Sequence, residues 1–292
     1  MKLIVNMIQG FCMALADSVP GVSGGTIAFI LGFYDEFIFS LDHLVAGAKE
    51  ERIRAIRFLT KLGAGWIIGF CASVLVLGSI FDSHIYELCS LFLGFSVFAV
   101  PLILAEEKKS FAGNYKNIIF TVIGIAVVVA ITCLNPNGSG EGMDLSQLSI
   151  GKIIFVFFAG MIAISAMVLP GISGSTLLLI MGLYVPVMSA IRAFLHLDFG
   201  VVPILMAFGL GVITGIVACI RLVKLGLEKQ RSKMLYLILG LVIGSLYAIV
   251  QGPTTLDVPK AAMTVSSFHV IFFLLGGVIL AVLQVVKRRM EK

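Results

Sequence analysis

Two short segments of this chain carry Pro, Gly and hydroxyl residues inside otherwise apolar sequence. Pro20-Gly-Val-Ser-Gly-Gly-Thr26 is echoed 150 positions later by Pro170-Gly-Ile-Ser-Gly-Ser-Thr176, and eight of the fifteen positions in 20–34 are identical in 170–184. Each Pro stops a preceding helix, the glycines admit backbone shapes closed to other residues, and a second helix is expected to start near Ser23 and Ser173. The first turn of such a helix has N–H groups without intrahelical partners and the positive end of the helix dipole, which suits an anion such as phosphate. The candidate ligands are Ser18, Gly21, Ser23, Gly24, Gly25 and Thr26, with Gly171, Ser173, Gly174, Ser175 and Thr176 in the second copy. The plainer alternative is two tight turns between packed helices, the hydroxyls capping the helix that follows.

Asp17 is the only acid immediately before either segment, and its counterpart is Met167. A carboxylate this near a membrane-embedded turn is functional by default. It is the first candidate for a coupling proton, with Glu36 the second. Its alternative role is to bond N–H groups of its own loop. Arg57, Arg192 and Arg221 lie at the edges of apolar runs. They serve either as orientation signals or to attract a phosphate headgroup to a cavity mouth. The four His residues form no cluster and the five Cys residues show no C-x-x-C spacing, so no metal or other cofactor is expected.

The elements that must position these groups are membrane helices. The chain is 59% hydrophobic and 13% charged, with mean hydropathy +1.10, where a soluble domain is about a quarter charged. Apolar runs of near-spanning length recur throughout, without the alternation of outer-membrane barrel strands. The net charge of +5 is spread over short basic stretches, which argues against a nucleic-acid partner. The runs are 3–16, 22–41, 62–81, 86–105 and 117–134, then 151–169, 172–191, 201–222, 234–251 and 268–286. They group as five plus five. Gly65-x-x-x-Gly69 matches Gly211-x-x-x-Gly215 and Leu93-Gly94 matches Leu239-Gly240, both at an offset of 146, a spacing suited to close helix packing. Lys2, the apolar run and Ala14-Leu-Ala16 imitate a secretory signal. The run 151–169 holds the same place before the second segment, so the first is expected to be retained.

Loop charge sets orientation. Lys49 to Lys61, Lys108 to Lys116, Arg221 to Lys233 and Lys287 to Arg289 mark one side as basic, whereas the stretches around Asp82, Glu141 and Asp257 are poor in Lys and Arg. Both termini are then cytoplasmic, and each half has an odd number of crossings. The run 3–16 is only ~21 Å long as a helix, short of the ~30 Å hydrocarbon core. Asp35 and Glu36 would lie deep in lipid if 22–41 crossed fully, but ~15 Å of helix beyond a mid-membrane turn returns them to the interface. The expected fold is an all-α polytopic membrane protein. It forms one domain, 1–292, of two inverted-topology repeats, 1–140 and 145–292. Each is a re-entrant helical hairpin followed by three transmembrane helices.

At Ala16-Asp-Ser-Val-Pro-Gly-Val-Ser-Gly-Gly-Thr26 with Gly32-Phe-Tyr34, and at Ala166-Met-Val-Leu-Pro-Gly-Ile-Ser-Gly-Ser-Thr176, the chain resembles the polyprenyl-phosphate transporter family of bacterial membranes. The resemblance runs essentially end to end and includes Gly240-Leu-Val-Ile-Gly-Ser245, although Arg231-Ser-Lys233 stands where a His-bearing stretch is expected. It implies a flippase in the bacterial plasma membrane. The cargo would be undecaprenyl phosphate or a related lipid, moved from the outer to the inner leaflet for reuse as a cell-wall carrier. The residues alone reach only a transporter with an anion site, with homodimerisation left open. A second reading is an undecaprenyl-pyrophosphate phosphatase, whose similar Pro-Gly-x-Ser-Arg-Ser sequence has Arg where Gly24 and Gly174 stand here. Phosphoryl transfer needs that kind of cationic stabilisation. A small-anion transporter or channel is the third.

Overall fold

Backbone N–H and C=O groups inside a bilayer must find partners within the protein, and a helix satisfies them locally. The computed structural model describes residues 2–17, 23–73, 78–134, 149–255 and 260–290, and every regular element among them is helical. The first half contains α1 (Lys2–Asp17), α2 (Gly24–Ile30), α3 (Tyr34–Ala46), α4 (Lys49–Ala72), α5 (Gly78–Glu106), α6 (Lys108–Phe111) and α7 (Ile118–Cys133). The second contains α8 (Ile150–Val168), α9 (Gly174–Ile180), α10 (Tyr184–Leu195), α11 (Val202–Lys229), α12 (Arg231–Gln251) and α13 (Val270–Met290). Among the described residues six helices, α4, α5, α7, α8, α11 and α12, are long and apolar enough to cross a membrane. The protein is an all-α, multi-pass membrane protein.

Two expected boundaries move. The basic stretch Lys49 to Lys61 is not a loop but the first turns of α4, whose described part ends at Ala72. Glu50 and Glu51 lie in its first turn, where acids favour a helix start, and the Glu51 carboxylate accepts from the Ala48 N–H at 2.9 Å. Likewise α11 runs through Arg221 and Lys224 to Lys229 and gives way to α12 at a single residue, Gln230. Counting apolar runs finds the lipid-facing length of a helix, not the charged turns that extend beyond it. Helix α5 is broken at His84, whose backbone leaves helical geometry (φ −123°, ψ 31°), close to the expected break between 81 and 86.

Packing repeats between the halves. Helix α1 lies on α4 and α8 lies on α11. A Cβ on Gly65 would overlap the Met7 carbonyl, and one on Gly211 would overlap the Phe157 carbonyl. These contacts are related by the offsets of 146 and 150 read from the sequence. The last helices are exchanged: α7 packs on α12, with Gly240 against the Thr121 carbonyl, and α13 packs on α5, with Gly94 against Phe273. Ile30 and Ile38 from the first half and Ile220 and Ile238 from the second share one buried core. Ile67, Leu210, Leu222 and Ile271 point outward, as lipid-facing side chains do.

Gly211→Ala should therefore destabilise the protein by roughly 1–3 kcal/mol, the range for overpacking. Gly209→Ala, two residues away with nothing within 4 Å of its added methyl, should be neutral. Thermal unfolding of both variants in detergent is the check; equal transitions would mean the α8–α11 contact does not limit stability.

Candidate functional site

Helix α2 starts where the residue types demand. Ser23 is its N-cap in extended geometry (φ −130°, ψ 148°), and its Oγ accepts from the Thr26 N–H at 3.3 Å. Both side chains are about 1% exposed. The Thr26 hydroxyl oxygen accepts from the Gly171 N–H at 2.7 Å, the Ser23 hydroxyl donates to the Leu169 carbonyl at 3.5 Å, and the Tyr34 hydroxyl donates to the Val168 carbonyl at 3.1 Å. The hydroxyls of the first segment thus serve the backbone of the second just where α8 has ended and Pro170 supplies no N–H. Gly171 sits at φ +88°, and a Cβ there would overlap the Leu241 carbonyl. That position needs glycine.

The short helices α2 and α9 end alike. Gly32 (φ +71°) and Gly182 (φ +67°) take the left-handed conformation that glycine adopts without penalty. The Phe33 N–H then donates to the Ala28 carbonyl at 3.0 Å, as the Leu183 N–H does to Leu178 at 2.8 Å. The continuous helix expected from Thr26 to Asp35 is therefore interrupted, and α3 restarts at Tyr34.

Asp17 ends α1 facing the start of α2. Its Oδ1 accepts from the Gly24 N–H at 2.6 Å and its Oδ2 from the Trp66 indole N–H at 3.1 Å. The expectation of unpaired N–H groups at this turn is corrected here: in this conformer the Gly24 N–H is held by an internal carboxylate, because the chain places an acid seven residues before it. Trp66 is itself fixed by stacking on Phe70, with ring centroids 5.1 Å apart and planes 7° from parallel. A Cβ on Gly24 would come within 2.8 Å of the Asp17 carboxylate, and one on Gly174 would come within 2.5 Å of Met167. The two halves share a geometry and differ in chemistry. Asp17, Gly24, Gly25 and Trp66 line a cavity of about 290 Å³ whose remaining walls are largely apolar, including Met13, Phe37, Leu62, Met167 and Ile216.

Residues 13–267 match the family described as undecaprenyl phosphate translocase-like. The chain is 34% identical over 252 residues to a polyprenyl-phosphate transporter of Staphylococcus aureus (strain NCTC 8325 / PS 47), covering 86% of this chain and 87% of that protein. It is 30% identical over 269 residues to a polyprenyl-phosphate transporter of Vibrio cholerae serotype O1, covering 88% and 80%. No solved structure matches. The chain belongs to the undecaprenyl phosphate translocase-like family.

The matched span covers both motifs and Asp17, but the expected site residues do not all converge. Ser23, Gly24, Gly25, Thr26 and Gly171 meet at the junction of the two segments. Gly174 is buried and Ser173 and Thr176 are half-buried at the start of α9. Ser18 and Gly21 lie outside the described residues, and the side chains of Ser175 and Arg192 are likewise not described. Glu36 is exposed in the first turn of α3, whereas the ligands of the Asp17 carboxylate come from Gly24 and Trp66. Arg57 and Arg221 are exposed on α4 and α11.

Three polar partners were not foreseen. Trp66, the single Trp of the chain, was the one with a visible signal. Arg231 pairs with Glu107 at 2.5 Å and with Asp35 at 2.8 Å beside a cavity of about 110 Å³. Lys224 pairs at 2.6 Å with the buried Asp42. Each ion pair joins helices distant in sequence, which a linear pattern does not reveal.

Thr26→Val keeps the shape but leaves the buried Gly171 N–H without its acceptor, a loss of about 1–3 kcal/mol. Thr26→Ser should restore most of it. Thermal unfolding in detergent separates the two; a Val variant as stable as the parent would remove the hydroxyl from the junction's support.

Proposed function

We propose that this chain transports undecaprenyl phosphate, or a close polyprenyl phosphate, from the outer to the inner leaflet of the bacterial plasma membrane, coupled to protons and without hydrolysis. The observation that carries the reading is Asp17, held by two N–H donors at the edge of a largely apolar cavity. A carboxylate and a phosphate oxygen compete for the same donors. When Asp17 takes a proton it becomes a weaker acceptor, and a lipid phosphate can replace it at the Gly24 N–H and the Trp66 indole. The apolar walls suit the first isoprene units, and the rest of the chain stays in lipid. Release of the phosphate on the other side accompanies loss of the proton. Ser23, Thr26 and the second segment hold the rims of this site, and Glu36, Arg57, Arg192 and Arg221 act at its approaches.

The architecture we infer for this function is two inverted repeats, 1–140 and 145–292, with α1–α3 and α8–α10 as re-entrant hairpins and both termini cytoplasmic. Supporting it are the glycine contacts recurring at the sequence offsets, the matching turns at Gly32 and Gly182, and the 16-residue α1. At ~24 Å it is shorter than the hydrocarbon core. Helix α8, with 19 residues, reaches ~28 Å. The hairpin reading for the second half therefore rests on its likeness to the first.

Purified protein in liposomes should move undecaprenyl phosphate to the opposite leaflet with no inorganic phosphate appearing. Stoichiometric phosphate release from the pyrophosphate would establish an enzyme instead. Asp17→Asn should slow transport about tenfold, equivalent to roughly 1.4 kcal/mol, and flatten its pH dependence when assayed from about pH 5 to about pH 8. Normal transport by the Asn variant across that range would sink the coupling role. Ser23→Ala and Ser173→Ala should each weaken headgroup binding, and unchanged affinity in both would return these segments to plain turns.

A further inference from the structure

Gln284 on α13 is 7% exposed, and both its side-chain Nε2 and Oε1 are buried without a hydrogen-bond partner. Leaving a buried amide unpaired costs as much as losing a hydrogen bond outright, so each such group needs an explanation. Gln284 borders a cleft of about 400 Å³ between α5 and α13, walled by Phe98, Pro101 and Leu102 on one side and Gly277, Leu280 and Ala281 on the other. None of these residues belongs to the Asp17 cavity. The next α13 side chains outward, Val278, Val282 and Val285, are exposed apolar groups, so the cleft faces lipid.

Its depth limits the occupant. Gln284 precedes Lys287, Arg288 and Arg289 by three to five residues, ~4.5–7.5 Å along a helix. Such a basic cluster marks the membrane interface, where anionic headgroups gather. One turn inside it is the level of a lipid's glycerol esters, between phosphate and acyl chains. Turned toward the cleft, the Gln284 Nε2–H can donate to a lipid ester carbonyl. The apolar walls take an acyl chain, and the phosphate lies level with the basic end of α13. We propose that this cleft is a site for one anionic glycerophospholipid, such as phosphatidylglycerol. It is separate from the transport cavity and independent of what that cavity carries.

The test is native mass spectrometry of the full chain, delipidated in detergent and titrated with phosphatidylglycerol, phosphatidylcholine and undecaprenyl phosphate. The parent protein should retain one phosphatidylglycerol in preference to phosphatidylcholine. Gln284→Leu, which keeps the volume and removes the amide, should weaken that binding about tenfold. Ala281→Phe fills the cleft with the amide intact and should abolish it. Replacing Lys287, Arg288 and Arg289 together by Gln should erase the preference for the anionic lipid. Added phosphatidylglycerol should raise the unfolding temperature of the parent but not of the Leu or Phe variants, whose transitions without lipid report that they are folded. Phosphatidylglycerol binding unchanged in both variants would overturn the proposal. So would undecaprenyl phosphate displacing phosphatidylglycerol in a manner dependent on Gln284.

Discussion

Unwound backbone inside a bilayer has no water to bond, so its partners must come from the protein. Between Val168 and Ser173 the chain leaves helical geometry, and the groups it exposes are met by Thr26, Ser23 and Tyr34 from the other half. Those donors and acceptors are themselves almost fully buried, so the bonds form where dielectric screening is weak and an unmade bond is expensive. The two segments are therefore each other's solvent. Disturbing one leaves polar groups of the other unsatisfied, which makes the junction a single unit and not two independent turns.

Such a junction requires helices that approach closely. The glycine-to-carbonyl contacts of α1 with α4 and α8 with α11 let the backbones touch, and the exchanged pairs α5–α13 and α7–α12 tie the halves together. Nothing in lipid drives these helices together by hydrophobicity, so contact area at small residues supplies the association. Ion pairs add a further tie. Asp35 and Asp42 on α3 reach Arg231 and Lys224 at the α12 and α11 ends, fixing the arm that follows the first segment against the second half. Any motion that opens the Asp17 cavity toward this side has to part or carry those pairs.

Asp17 breaks the equality of the halves. Glycine stands opposite it at position 24 as glycine stands at 174 opposite Met167, so the space is conserved between halves while the charge is not. The Asp17 carboxylate accepts from Gly24 and Trp66, bonds that the thioether at Met167 does not reproduce in the second half.

Much of this was legible in the chain. Composition forced membrane helices, because 59% hydrophobic and only 13% charged residues leave too little polar surface for a water-facing fold. The motif pair located the breaks, since Pro lacks an N–H and Gly tolerates positive φ, and both restrict the backbone locally. The start of α2 at Ser23 was visible for the same reason, whereas the interruption at Gly32 was not, because a single glycine in an apolar run also fits a continuous helix. The extent of α4 and α11 was not, because charged turns at a helix end look like loops when only apolar length is counted. Tertiary structure alone decided which hydroxyl met which loop, that Trp66 would share Asp17 with Gly24, that Arg231 would bridge Asp35 and Glu107, and that Gln284 would be left unpaired. Local residue chemistry can dictate where a chain must turn. Partners 49 to 196 positions apart are chosen only when whole helices pack.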